Sequence, residues 1–180
     1  MPIASDYKFP LFKAEKVGLL SDSDYYYFLM EKIRKARQSL YATVFIVNIR
    51  KSDDIDRKVL SILKELEYAH WKGVDVKLIV GSSTGAPLIS IANEVTIKYL
   101  EEKRFPVRYA QIEDGSLHSK YVVIDQELII IGSHNWTYNA FFMSKEDSLF
   151  CYSKDAAIKL TKEFNYLWNT GDLNQDVKDD

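Results

Sequence analysis

The sequence predicts an α/β protein in which a mixed β-sheet is flanked by helices on both faces. Apolar segments of strand length, typical of strands buried on both faces, alternate with longer segments whose apolar residues follow the 3.6-residue helical period. Several short strands then cluster in the second half of the chain, before a final helix. The chain has 180 residues, which is enough for one domain with a substantial core.

The first predicted elements follow an irregular lead-in over residues 1–20. A helix is predicted over 21–37, because apolar residues such as Leu29 and Ile33 recur on one helical face. Residues 40–48, LYATVFIVN, are β-branched and aromatic and predict a strand buried on both sides.

A second helix and strand repeat this pattern. The helical period extends over residues 52–72, and Gly73 favours termination. A strand is predicted over 74–81. The loop 82–87 then leads to a helix that ends near Arg104.

The rest of the predicted domain consists of short strands and one helix. The strands are expected over 107–111, 117–125, 128–134 and 148–153. The last helix is expected over about 155–169, and the folded domain over 21–170. The acidic tail, 171–180, is expected to be flexible.

Composition narrows the class of protein. The formal net charge of -2 argues against a strongly basic protein that coats nucleic acid, but it leaves room for a local basic cleft. The single cysteine, Cys151, excludes an intrachain disulfide and a cysteine-based zinc site. With no apolar run long enough to span a bilayer and no secretory leader, we expect a cytoplasmic protein without a membrane anchor.

The most informative segment is HSKYVVIDQELIIIGSHN, residues 118–135. Alternate residues of a strand share a face, so His118 and Lys120 should point the same way, as should Ser133 and Asn135. If the two strands pair as a hairpin, the start of one lies beside the end of the other. These four side chains should therefore converge.

This set of side chains suits a phosphate diester. Lysine neutralises non-bridging oxygens, while asparagine and serine donate hydrogen bonds to them as charge builds in the transition state. Imidazole can attack phosphorus or move a proton near neutral pH. The segment has no cluster of carboxylates typical of a metal cage, so neither metal nor cofactor is expected.

The same segment resembles the HKD motif of the phospholipase D superfamily: His, any residue, Lys, four residues, Asp, six residues, Gly-Ser, any residue, Asn. The matching residues are His118, Lys120, Asp125, Gly132, Ser133 and Asn135. Glu146 occupies the place of a glutamate that the superfamily carries further along. The resemblance implies a phospholipase D-like fold, with residues 21–170 as its catalytic domain.

The resemblance also implies a mechanism. One histidine attacks phosphorus to form a phosphohistidine, and a second, from another copy of the motif, protonates the leaving oxygen and then activates water. This chain carries one motif, so a homodimer with the two His118 side chains facing each other is expected. Glu146 is expected to hold an imidazole in the required tautomer. Asp125 is expected to be structural at the strand turn, and Gly132 to allow close backbone approach.

The substrate implied by the resemblance is a nucleic acid, because small single-motif members include nucleases that cut DNA or RNA. Hydrolysis of a phospholipid, for example cardiolipin, is the first alternative, although no convincing apolar rim or interfacial helix is visible in the sequence. A catalytically silent nucleic-acid-binding domain is the second. The complete motif argues against this last alternative.

Several further residues are candidates for the substrate cleft. Arg50 and Lys51 follow the first predicted strand, at the carboxyl end where α/β sheets commonly bind ligands. Trp136 could stack on a base, but packing under the site loop is the favoured interpretation. His134 should point away from the site, and His70 is expected to be structural. Weaker basic candidates are Lys103, Arg104 and Arg108.

Overall fold

The computed structural model describes residues 9–49, 57–81, 87–110, 112 and 115–170. In this part of the chain the strands are β1 (Lys16–Ser21), β2 (Ser39–Val44), β3 (Asp75–Val80), β4 (Val107–Tyr109), β5 (Tyr121–Ile124), β6 (Leu128–Gly132) and β7 (Asp147–Tyr152). The helices are α1 (Ser23–Lys35), α2 (Arg57–Trp71), α3 (Pro87–Glu102), α4 (Tyr138–Phe142) and α5 (Lys154–Thr170).

The described strands form one mixed sheet of seven strands, in the order β1-β7-β6-β5-β2-β3-β4. β2, β3 and β4 run parallel, whereas β5, β6, β7 and β1 are added antiparallel. Phe164 of α5 packs on one face of the sheet, while Leu29 of α1 and Leu66 of α2 belong to the core on the other. The predicted mixed sheet with helices on both faces is confirmed.

The lead-in differs from the prediction, because residues 16–21 form the edge strand β1, paired with β7. The strand signal is weak in the sequence, since Gly18 interrupts a short apolar run. In the structure, a Cβ at Gly18 would lie 2.3 Å from the ring of Phe150. This glycine therefore serves close packing. The short helix α4 was also not predicted, while the tail 171–180 lies outside the described residues.

The β5–β6 hairpin is tied to the start of β2 by Asp125. Its carboxylate accepts hydrogen bonds from the backbone N–H groups of Arg37, Gln38 and Ser39, at 2.7 to 3.1 Å. The N–H of Glu127 donates to the backbone oxygen of Ile124 at 3.0 Å, and the two residues between them, Asp125 and Gln126, have φ values of 52° and 54°. Asp125 thus fixes the hairpin against the neighbouring strand.

Candidate functional site

The candidate site residues lie where one set of strand ends meets, at the carboxyl ends of β2 and β6 and the amino ends of β5 and β7. Tyr121 pairs with Ile131, and the N–H of Gly132 donates to the backbone oxygen of Lys120 at 3.2 Å. The start of β5 therefore lies beside the end of β6, as the predicted hairpin requires.

His118 and Lys120 are in direct contact just before β5. Nζ of Lys120 lies 3.3 Å from Nδ1 of His118 and donates to the backbone oxygen of His118 at 2.7 Å. The ring of Phe45, which follows β2, lies 4.5 Å from the imidazole centroid and 5.3 Å from Nζ of Lys120. The imidazole is exposed, whereas Lys120 is only 8% exposed. A cation and a nucleophile candidate are thus held together on an aromatic support.

Burial lowers the pKa of Lys120 below its ordinary value of 10.5, and the negative charge of Glu146 partly offsets this effect. Among the described residues, no carboxylate lies within ion-pair distance of this ammonium. A buried cation without a bonded counter-ion is stabilised by an incoming anion. The site therefore favours a phosphate group on electrostatic grounds.

Asn135 and Ser133 are held by backbone groups at the same edge. Oδ1 of Asn135 accepts from the N–H of Ile46 at 3.1 Å, and its amide nitrogen has no hydrogen-bond partner among the described residues. The hydroxyl of Ser133 donates to the backbone oxygen of Asp147 at 3.2 Å and accepts from its N–H at 3.1 Å. Asn135 is therefore the better placed of the two to donate to a substrate.

Gly132 allows β6 and β7 to approach closely beside the site. A Cβ at this position would lie 2.3 Å from Oγ of Ser148 and 2.4 Å from the backbone oxygen of Asp147. A side chain there would push β7 away from Ser133. The predicted requirement for a small residue follows from this contact.

Glu146 is anchored through its backbone to Asp22, the residue between β1 and α1. The N–H of Asp22 donates to the Glu146 oxygen at 2.9 Å, and the N–H of Glu146 donates to the Asp22 carboxylate at 3.2 Å. Asp22 also pairs with Lys145, and this hydrogen bond holds the pKa of the Asp22 carboxyl below its usual value. Among the described residues, no hydrogen bond joins Glu146 to His118 of the same chain.

His134 and Trp136 point into the core. His134 is 1% exposed, stacks on Tyr25 at 4.3 Å and bonds to Ser148 and to the backbone oxygen of Asp22. Trp136 is 0% exposed and donates to the hydroxyl of Tyr25 at 3.1 Å. The burial of Trp136 agrees with packing under the site, and it removes Trp136 from the substrate-binding candidates, because a fully buried indole cannot stack on a base.

The basic candidates Lys103 and Arg104, which the structure describes, do not lie at the site. Arg50 and Lys51 lie outside the described residues. Lys103 and Arg104 follow the end of α3 and precede β4. They therefore lie at the amino end of β4, on the side of the sheet opposite to the carboxyl end of β2, where the site lies.

Two supporting residues were not predicted from the sequence. Phe45 carries the His118–Lys120 pair, and Asn93 of α3 is 0% exposed. The side chain of Asn93 bonds to backbone groups of Phe45, Val47 and Gly81 at 2.7 to 2.8 Å, which joins the ends of β2 and β3. A lone asparagine among apolar helical residues was the available signal.

The fold and the site together define an α/β domain with a histidine–lysine pair where strands of a mixed sheet meet. A family model described as "Cardiolipin synthase, PLD-like domain" matches residues 29–168. The chain therefore belongs to this phospholipase D-like family, within a superfamily that carries phosphodiesterase activity.

Individual relatives agree with this assignment. Cardiolipin synthase 2 of Bacillus cereus is 31% identical over 145 residues, which is 77% of this chain and 24% of the relative. The chain thus spans about a quarter of that protein's length.

Solved structures share the fold. Nuc, a phospholipase D family member from Salmonella typhimurium, superposes with a TM-score of 0.69 at 19% identity, covering 87% of this chain and 97% of that one. NucT from Helicobacter pylori gives a TM-score of 0.58 at 20% identity, covering 86% and 96%.

The described part of the chain also bears on membranes and metals. None of its helices is both long and apolar enough to cross a bilayer. Within the same residues, no group of three or more His, Cys, Asp or Glu side chains could hold a metal ion.

Proposed function

We propose that this chain is a metal-independent nuclease that hydrolyses phosphodiester bonds in DNA or RNA, at a site shared across a homodimer. The observation that carries this proposal is the ammonium of Lys120, a residue only 8% exposed, in contact with the exposed imidazole of His118. A desolvated cation beside a nucleophile stabilises the negative charge that builds on a phosphoryl group during displacement.

The chemistry assigns one role to each side chain. A ring nitrogen of His118 attacks phosphorus, a bond forms between nitrogen and phosphorus, and the bond to the leaving oxygen breaks. Lys120 and the amide of Asn135 stabilise the non-bridging oxygens, with Ser133 in support. Water then attacks the phosphohistidine, which releases the phosphate product and restores the imidazole.

A second imidazole is needed to protonate the leaving oxygen and then to deprotonate the water. One chain supplies one His118, so we assign this role to His118 of the partner subunit. Glu146 does not bond to the imidazole of its own chain, and it is therefore available to orient His118 of the partner subunit. In an isologous dimer, each subunit would present its Glu146 to His118 of the partner subunit.

An exposed apolar surface beside the site suits this dimer. On one face of the sheet Leu19 pairs with Leu149, which pairs with Ile131, and Val17 follows in the next row. Leu19 is 75% exposed, Val17 is 56% and Ile131 is 44%. We call Val17, Leu19, Ile131 and Leu149 the apolar sheet face.

The position of the apolar sheet face links it to catalysis. The next row along β1, β7 and β6 contains Ser21, Asp147 and Ser133, so the surface runs directly into the candidate site. A second copy that covers the apolar sheet face would bring its own site edge close to this one. Burial of these side chains would favour association.

Phospholipid cleavage or transfer is the second candidate, favoured by the 31% identity to cardiolipin synthase 2. In that case the apolar sheet face would contact acyl chains instead of a second subunit. The nuclease proposal places the same surface in a protein interface. The two candidates therefore differ in what covers these residues.

A substrate panel tests the proposal. Plasmid DNA, single-stranded DNA, RNA and cardiolipin vesicles would be incubated separately with the protein in excess EDTA. We expect cleavage of at least one nucleic acid, no release of phosphatidic acid, and no product with His118→Ala. Cleavage of lipid alone, or activity that requires an added divalent ion, would overturn the proposal.

A further inference from the structure

A groove of about 570 Å³ lies between the ends of α2 and α3, far from the candidate active site. It opens where α2 leads into β3 and α3 leads into β4, at the amino ends of these parallel strands. The active site lies at their carboxyl ends. Since β3 has six residues, the two sites are roughly 20 Å apart along the sheet.

Exposed aromatic rings form one wall of this groove. Trp71 is 81% exposed and Tyr68 is 55% exposed. Their rings are stacked with an interplanar angle of 20° and a centroid distance of 6.3 Å. Two large rings left in solvent at the end of an otherwise amphipathic helix contribute nothing to the core, but they offer flat surfaces to a planar ligand.

Cations line the same groove. Lys64, Lys103 and Arg104 surround it, and none of them forms an ion pair with another described residue. Arg104 has a φ of 55°, at a helix end where glycine is usual. A guanidinium is therefore held at a position that disfavours side chains. The net charge around the rings is positive despite the formal charge of -2 for the chain.

Polar side chains complete the lining of the groove. Glu67 and His70 belong to it, beside the three cations. An apolar protein segment or an acyl chain placed over this lining would remove water from charged and polar side chains without replacing their hydrogen bonds, which is costly. The edge of a nucleobase carries both N–H donors and acceptors, and its face can stack.

We propose that this groove binds single-stranded nucleic acid, with an unstacked base against Trp71 and Tyr68 and the backbone phosphates near Lys103 and Arg104. The ligand class rests on the proposed nuclease function, whereas the site itself is separate from the catalytic residues. A nucleic-acid strand bound both in this groove and at His118 would contact the protein at both ends of the parallel β-strands. The groove would then favour long, unpaired substrates over short or duplex ones.

The test compares binding and catalysis in matched variants. Binding of a labelled single-stranded oligothymidylate would be measured by fluorescence anisotropy in the His118→Ala background, which prevents cleavage. Trp71→Ala and Lys103→Glu should each weaken binding about tenfold, the scale of one lost stacked base or phosphate contact. Tyr166→Ala, at a ring 67% exposed on α5, is the control and should bind unchanged.

Two further measurements make the outcome decisive. With otherwise wild-type protein, Trp71→Ala should leave hydrolysis of bis(p-nitrophenyl) phosphate unchanged, because that substrate is too short to reach the groove. Binding of Trp71→Ala equal to that of its His118→Ala parent would overturn the proposal, as would equal competition by a polyglutamate peptide. Failure of the wild type to cleave any nucleic acid would overturn the proposed function instead, since oligonucleotide binding is measured independently of cleavage.

Discussion

Nζ of Lys120 lies 3.3 Å from Nδ1 of His118, and both groups rest on the ring of Phe45. This contact places the charge-neutralising group and the proposed nucleophile within reach of a single phosphate. Neither side chain needs to move far to meet the substrate, so little orientational entropy is lost at the reacting centre.

As the pH rises, the activity should begin to fall at a lower pH than it would with a lysine of ordinary pKa. Lys120 must be protonated to stabilise phosphate, and burial lowers its pKa below 10.5, so its charge is lost earlier as the pH rises. Initial rates of bis(p-nitrophenyl) phosphate hydrolysis against pH should show an alkaline limb below pH 10.5. A rate that stays constant through that pH would contradict this role for Lys120.

The two histidines of the segment 118–135, His118 and His134, should behave differently. His118→Ala should lower kcat by several orders of magnitude with no change in the melting temperature, because the imidazole is exposed. His134→Ala should cost about 2–4 kcal/mol of unfolding free energy, since it removes a buried stacked ring and leaves Ser148 without its partner. Its kcat per folded molecule should remain near wild type. The reverse ranking in kcat would show that the roles are exchanged.

Asn135 should matter more than Ser133 for turnover. Within the described part of the chain the Asn135 amide nitrogen has no partner, whereas the Ser133 hydroxyl is engaged with the backbone of Asp147. Asn135→Ala should lower kcat by about 10²–10³-fold, as for other oxyanion donors, and Ser133→Ala by about tenfold or less. Steady-state kinetics on both variants, with melting temperatures as the control for folding, would decide the order.

Mixed dimers should reveal whether both imidazoles are needed. If His118→Ala chains exchange freely with an equal amount of wild type, only wild-type homodimers should work, which leaves about one quarter of the activity. A self-sufficient subunit would leave about half under the same pairing rule. Subunit exchange would be followed separately with differently labelled chains. A linear dependence on the wild-type fraction would refute the shared site.

A charge on the apolar sheet face should separate the subunits. Leu19→Glu would place a carboxylate in a buried interface, which should raise the dimer dissociation constant by roughly 10²-fold or more. Mass by light scattering and nuclease activity should fall together. Tyr27→Glu, at a side chain 59% exposed on the helical layer of the other face, is the control. An unchanged mass with loss of vesicle binding would favour the lipid candidate.

Local sequence patterns predicted most of the sheet and the part of the site that residues 118–135 form. Strand alternation placed His118 with Lys120 and turned His134 inward, and the turn at Asp125 formed the hairpin that joins the motif's two ends. Both results depend on residues close together in the chain. For this reason, a motif over residues 118–135 carried most of the information about the site.

The features of the fold and the site that the sequence did not predict depend on contacts between distant parts of the chain. β1 is a strand because β7 pairs with it, and Phe45 supports His118 because β2 ends beside β5. The sequence left both packing and base stacking open for Trp136, and the contact of its indole with Tyr25 of α1 decides for packing. Spacing along the chain does not encode such enclosure.

The pairing of β1 with β7 also sets the order in which a growing chain can finish its fold. Ser21 bonds to Asp147, which is 126 positions away, and Asp22 fixes the backbone of Glu146. On the ribosome, β1 must therefore remain unpaired until β7 has emerged. The edge of β1 would be open to other chains during that interval, which makes the synthesis of the intervening residues the stage most vulnerable to aggregation.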